Sequence, residues 1–134
     1  MTILFIDDDN DDTELFHEAV NYLNNSDFIA GRRRDITCLI AKNGGEALDL
    51  LSNLEDLPDC IFLDINMPLM GGTECLKQLK KTPRFSKIPV VMLSTTLRGR
   101  DLQDFKAMGA ADCIVKPSAF KTLVKVLAKY VYNL

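Results

Sequence analysis

The stretch Cys60-Ile61-Phe62-Leu63-Asp64-Ile65-Asn66-Met67-Pro68 sets the frame in which the other positions are read. Four residues of apolar character run without interruption into an aspartate, and Pro68 followed by Gly71-Gly72 closes the run. A short continuous apolar segment bounded by turn residues predicts a strand buried on both faces, as in a parallel sheet. The proline and the glycine pair mark a loop. Asp64 then stands at the carboxyl end of a central strand, the edge at which open α/β sheets bind ligands. An aspartate there is a metal ligand, a nucleophile or a cap for the next turn, and what the other strands bring to that edge decides among these.

Upstream, Ile3-Leu4-Phe5-Ile6 is a second apolar run, ending in Asp7-Asp8-Asp9-Asn10-Asp11-Asp12. Asn10 or Asp11 is expected to cap the following helix, whose positive end favours acidic neighbours. That role does not extend to Asp7 and Asp8, which come directly off the strand and repel each other unless a cation lies between them. Leu15, Phe16, Ala19, Val20 and Leu23 recur at helical spacing. The polar and basic segment from Asp27 to Asp35 reads equally as a loop or as a helix extension. Ile36 to Ala41 predicts a strand, Asn43 caps a helix with Ala47, Leu48, Leu51 and Leu54 on one face, and Pro58 separates it from the Asp64 strand.

Gly72 opens a third helix, with Leu76 and Leu79 inward and Lys77, Lys80 and Lys81 outward. Val90-Val91-Met92-Leu93 is a fourth strand, running into Ser94-Thr95-Thr96. Leu102, Phe105 and Met108 line a short helix closed by Gly109. Cys113-Ile114-Val115 is a fifth strand ending at Lys116-Pro117, and Ser118 caps a last helix bearing Leu123, Val124, Leu127 and Val131. Five strands alternating with five helices predict an α/β fold: a parallel sheet covered by helices on both faces.

Composition narrows the functional classes. The 134 residues suit one domain, and 47% hydrophobic residues supply a substantial core. A net charge of −3 carries no basic excess for nucleic acid, and Arg32-Arg33-Arg34 reads as a solvated loop. No apolar stretch reaches membrane-spanning length, and the first residues lack a basic region and cleavage site, so a cytoplasmic protein without membrane association is expected. Cys38, Cys60, Cys75 and Cys113 form no CxxC pair and lie near no histidine cluster, which predicts small buried hydrophobes in a reducing compartment.

In a parallel sheet all strand ends of one polarity share an edge. Asp7 and Asp8 from the first strand, Asp64 from the third, Ser94 from the fourth and Lys116 from the fifth therefore converge. Three carboxylates at close range require compensation. Lys116 supplies one charge, and a hard divalent cation with oxygen ligands, Mg2+, supplies the rest. Cation, ammonium and hydroxyl around one carboxylate fit phosphoryl transfer to that carboxylate, since aspartyl phosphate is an accepted covalent form. No GxxxxGK[ST] cradle for a bound nucleotide is present.

Ile6-Asp7-Asp8, Leu63-Asp64-Ile65-Asn66-Met67-Pro68-Leu69-Met70-Gly71-Gly72, Leu93-Ser94-Thr95 and Val115-Lys116-Pro117 together resemble the receiver domain of two-component response regulators. The likeness covers essentially the whole chain, and a stand-alone receiver over 1–134 with no output domain is expected. It implies a flavodoxin-like five-stranded sheet in the order 2-1-3-4-5. It implies Asp64 as phosphoacceptor, Asp8 as direct and Asp7 as mainly water-mediated ligand of Mg2+, and the Asn66 carbonyl beside Asp64 as further ligands. Ser94, with Thr95, matches the switch hydroxyl position, Lys116 the phosphate-pairing lysine, and Pro117 a residue after a cis peptide bond. Asn66 and Thr96 match positions that tune water access to the phosphoryl group. Implied partners are a sensor histidine kinase or histidine phosphotransfer protein, and a downstream protein or a second copy docking on the fourth helix, fifth strand and fifth helix. Cys113 departs from the pattern, which has Tyr or Phe three positions before the lysine.

Two other readings compete. Asp7-Asp8-Asp9 also resembles the DxD motif of haloacid-dehalogenase-like phosphatases, with Asp7 as nucleophile and Asp9 as acid/base. That reading leaves Asp64 without a role and lacks a late acidic pair after Lys116. A phosphorylation-independent, receiver-like adaptor is the other, although such chains usually lose the acidic pair, the acceptor or the lysine. The receiver reading expects a protein that catalyses only its own phosphorylation and dephosphorylation.

Overall fold

The computed structural model describes residues 1–25, 35–67, 70–96 and 98–132. The Arg32-Arg33-Arg34 run, the undecided segment from Asp27 and the turn residue Pro68 lie outside the described residues.

The alternating elements are β1 (Thr2–Ile6), α1 (Asn10–Asn25), β2 (Thr37–Ala41), α2 (Gly44–Ser52), β3 (Cys60–Asp64), α3 (Gly72–Lys81), β4 (Val90–Ser94), α4 (Asp101–Ala107), β5 (Asp112–Val115) and α5 (Phe120–Tyr132). All pairings are parallel, in the order β2-β1-β3-β4-β5. This is the flavodoxin-like arrangement. Continuous burial along β1, β3 and β4 follows from helices on both faces. Because side chains alternate along a strand, Ile3, Phe5 and Phe62 enter one core with Phe16, Val20 and Leu23 of α1 and Leu123, Val124 and Leu127 of α5. Leu4, Ile6, Ile61 and Leu63 enter the other, with Ala47 and Leu51 of α2 and Cys75, Leu76 and Leu79 of α3. Leu102, Phe105 and Met108 of α4 are only half-buried against that second core.

Helix ends show where local chemistry departs from expectation. The cap of α1 is Asp9, not Asn10 or Asp11. Its Oδ1 accepts from the backbone N–H of Asp11 (2.8 Å) and Asp12 (3.2 Å), and its carbonyl accepts from Thr13 N–H. Asn43 caps α2 as expected, accepting from Glu46 N–H at 2.8 Å. Gly109 after α4 has φ of 102°, the left-handed conformation expected of a C′ glycine. α5 begins one residue later than a Ser118 cap requires, with the Ala119 carbonyl accepting from Leu123 N–H. At the start of α3, Gly72 is needed for close approach and not for its φ. A Cβ there would overlap the Asp64 carbonyl oxygen and lie 2.6 Å from Ile65 Cα. The four cysteines are free thiols, with Cys60, Cys75 and Cys113 buried. Burial pushes the Cys60 thiol up to about 12 and the Cys75 thiol up to about 11. No helix among the described residues is long and apolar enough to cross a membrane.

Candidate functional site

Strand polarity brings the chemistry to one edge. Asp7, Asp8, Asp9, Asp12, Asp64, Asn66, Thr95 and Lys116 line an open cleft of about 480 Å³ above the carboxyl ends of β1, β3, β4 and β5. Asp7 is fully buried and Asp64 is 3% exposed, whereas Asp8 is exposed. Asp7 Oδ1 accepts from Asp9 N–H at 2.9 Å, which folds the chain from β1 into the cap of α1. The buried Oδ2 of Asp7 meets the Lys116 ammonium at 2.5 Å in an ion pair.

One oxygen from each of Asp7, Asp8 and Asp64 lies within 4.8 Å of the others. Burial and the Asp7 charge raise the Asp64 carboxyl to about 6, against the lowering pull of Lys116. The Asp7 carboxyl is also raised, by burial first, with Lys116 opposing. The Lys116 ammonium is itself raised: burial works against its charge, but Asp12, Asp7 and Asp64 outweigh burial. Three clustered carboxylates, two of them buried, form an all-oxygen set that one lysine does not neutralise, and such a set fits a hard divalent cation.

Lys116 reaches the cluster from a trans peptide. No cis bond occurs among the described residues, so the expected cis peptide before Pro117 is corrected. Trans is the ordinary preference of X–Pro bonds, and the lysine meets its carboxylates in that form. Ser94 ends β4 at 6% exposure, but its hydroxyl is turned into its own loop. It donates to the Thr96 carbonyl and accepts from Thr96 N–H. Thr95 faces the cleft instead, its hydroxyl accepting from Asn66 Nδ2 at 3.4 Å. Asn66 N–H approaches Asp64 Oδ1 at 3.4 Å, so the turn after β3 already follows the Asp64 carboxylate. Cys113 is 2% exposed and packed in the second core, with α4 beside it.

Two residues were not singled out by sequence. Asp12 pairs with Lys116 at 2.6 Å. Its place among the helix-start acids hides it, but it stands in the first turn of α1, directly after the Asp9 cap and beside the end of β1. Tyr130 donates to Asp112 Oδ2 at 2.7 Å and packs edge-on against Phe62, tying α5 to the start of β5.

A family model of the response regulator receiver domain matches residues 3–128. The chain belongs to the response regulator receiver family. It is thus a receiver of two-component signalling. Receivers of this kind interact with histidine kinases and downstream effectors. Protein PilH of Pseudomonas aeruginosa is 35% identical over 89 residues, covering 66% of this chain and 72% of PilH. Sensor histidine kinase CheAY of Helicobacter pylori is 28% identical over 95% of this receiver, which spans 14% of CheAY. A protein-glutamate methylesterase/protein-glutamine glutaminase of Methanococcoides burtonii is 35% identical over 64% of the receiver, which spans 24% of it. Among solved structures, chemotaxis response regulator CheY4 of Vibrio cholerae superposes with a TM-score of 0.77 at 26% identity, covering 96% of both chains. The phosphorylated cyanobacterial phytochrome response regulator RcpA superposes at 0.77 with 27% identity, covering 96% of this chain and 89% of RcpA.

Proposed function

We propose that this receiver accepts a phosphoryl group on Asp64 from a sensor histidine kinase or histidine phosphotransfer protein and signals by altered binding to a partner. The observation that carries the proposal is the convergence of Asp7, Asp8, Asp64 and Lys116 on one strand edge, with three carboxylates drawn around a single ammonium. RcpA, a structural relative, was solved in a phosphorylated form, which supports the same chemistry here.

In the transfer, an Asp64 oxygen attacks phosphorus in line with the P–N bond of phosphohistidine. The P–O bond forms as the P–N bond breaks, and the electron pair stays on the imidazole nitrogen, which takes a proton. Asp7, Asp8, Asp64 and the Asn66 carbonyl would hold Mg2+, which supplies charge neutralisation for the phosphoryl oxygens. Lys116, 3.7 Å from Asp64 Oδ2, pairs with a phosphoryl oxygen. Thr95 and Asn66 border the cleft where hydrolytic water approaches the product. Signalling then passes to a partner or a second copy on the α4–β5–α5 face, where Val115 is 52% exposed.

Labelling with an acyl phosphate tests the reading. Stoichiometric, Mg2+-dependent, acid-stable and base-labile phosphate on Asp64, lost in Asp64→Asn, is the expected outcome. Equal labelling in EDTA, or labelling that survives Asp64→Asn, overturns it. Steady turnover of a phosphate ester would favour the phosphatase alternative, but Asp9, its acid/base, is committed to capping α1. Partner binding independent of phosphate would favour the adaptor.

A further inference from the structure

Lys116 is shared by three carboxylates at unequal range: Asp7 at 2.5 Å, Asp12 at 2.6 Å and Asp64 at 3.7 Å. The ammonium is therefore held toward α1 and away from the acceptor strand. Asp7 has a second role in the buried cluster. Asp12 does not: among the described residues its side chain has no other hydrogen-bond or ion partner, and it is one-third exposed. We infer that Asp12 is a positioning residue that parks Lys116 in the resting receiver and must release it when the Asp64 side carries a phosphoryl group. The inference rests on the phosphoacceptor reading of Asp64 and goes beyond it by assigning a competitor for the lysine.

Electrostatics gives the direction. Asp12 and a phosphoryl oxygen compete for one ammonium, and every contact made to Asp12 is one the phosphoryl group must displace. Removing the Asp12 charge leaves Lys116 paired with buried Asp7 and free to close on Asp64. The occupied state is then favoured over the empty one, because an effector shifts an equilibrium only through its differential interactions with the two states. Asp11 provides the control. It is one residue away, exposed and on the same helical turn, and its side chain makes no contact with Lys116 among the described residues. Neutralising it changes the general field at the α1 end without touching the lysine.

Beryllofluoride, a phosphoryl mimic, is titrated into the full chain at saturating Mg2+ by calorimetry, for native protein, Asp12→Asn, Asp12→Ser and Asp11→Asn. Both Asp12 variants are expected to bind it about threefold or more tightly than native, the size a partly exposed ion pair supports, with Asp11→Asn within about twofold of native. Unchanged or weaker binding by both Asp12 variants overturns the inference, as does equal tightening in Asp11→Asn, which would show a general field effect. A second readout needs neither metal nor mimic. In a metal-free crystal structure of Asp12→Asn, Lys116 Nζ should move from 3.7 Å to hydrogen-bonding distance of Asp64. An unmoved lysine overturns the parking role. Native protein that binds no beryllofluoride, together with a lysine that moves in the variant, would instead refute the phosphoacceptor reading and leave the parking intact.

Discussion

Asp64 carries a pH signature. Its carboxyl lies at about 6, above the ordinary 3.8, because burial and then the Asp7 charge disfavour ionisation. A folded-state value above the unfolded one means the native metal-free chain keeps a proton that the unfolded chain has released. The stability linked to Asp64 is thus fully present below about pH 4 and is lost as pH rises through about 6. In EDTA at pH 7.5, Asp64→Asn is expected to melt higher than native by several degrees, and Mg2+ should raise the melting temperature of native far more than that of the variant. A variant that melts lower in EDTA would show that the Asp64 carboxylate is not held against its own preference. Replacing Lys116 is expected to have the opposite effect on stability. It is the ion partner of an Asp7 side chain that is wholly buried, so Lys116→Ala leaves a buried charge uncompensated, at a cost of roughly 3 kcal/mol. Chemical denaturation should show that loss in EDTA and a partial recovery in Mg2+.

At the scale of elements, two backbone details hold the site. The Asp9 cap fixes the first turn of α1, the turn that carries Asp12. Asp9→Ala should lower stability by about 1 kcal/mol, the usual weight of a lost N-cap. Guanidinium denaturation at pH 7 measures it, and Asp9→Asn, which keeps a capping oxygen, should stay close to native. Gly72 lets α3 start against the backbone that follows Asp64, where a Cβ would collide with the Asp64 carbonyl and Ile65. A collision with backbone has no flexible side chain to relieve it, so Gly72→Ala should destabilise by about 1–3 kcal/mol. It should also slow labelling of Asp64, whereas Gly71→Ala, where an added Cβ would meet only ordinary contacts, should do neither.

At the scale of the molecule, the question is how charge at Asp64 reaches a docking face. Phosphorylation adds roughly −1.5 to −2 charge and new acceptor oxygens. Ser94 is the mobile candidate, because among the described residues its hydroxyl bonds only to the loop it closes, at Thr96. Leaving that loop for the phosphoryl group frees Thr96 and the segment leading into α4, a seven-residue helix with no fully buried residue. Cys113, compact and buried in the second core, has no polar tip to expose. Ser94→Ala should therefore abolish the beryllofluoride-dependent change in partner affinity, while Cys113→Ala should leave it nearly intact. The reverse pattern, measured by partner binding with and without the mimic, would place the switch on β5.

Uninterrupted runs such as Ile3–Ile6 and Cys60–Leu63 encode doubly buried strands without help from elsewhere, because burial on both faces removes the polar alternation. Strict strand–helix alternation then makes the sheet parallel, and parallel strands put Asp7, Asp8, Asp64 and Lys116 on one edge whatever their separation along the chain. Those conclusions were legible in the sequence because they depend on pattern and polarity alone. What it left open depends on distance. Asp12 is one more acid at a helix start until folding sets its carboxylate 2.6 Å from Lys116. Ser94 and Thr95 are interchangeable hydroxyls until the end of β4 turns one into its own loop and the other toward Asn66. The Lys116–Pro117 bond is trans, and the lysine meets its carboxylates without the rarer isomer. Such choices are made by contacts between residues far apart in sequence, so only the tertiary structure decided them.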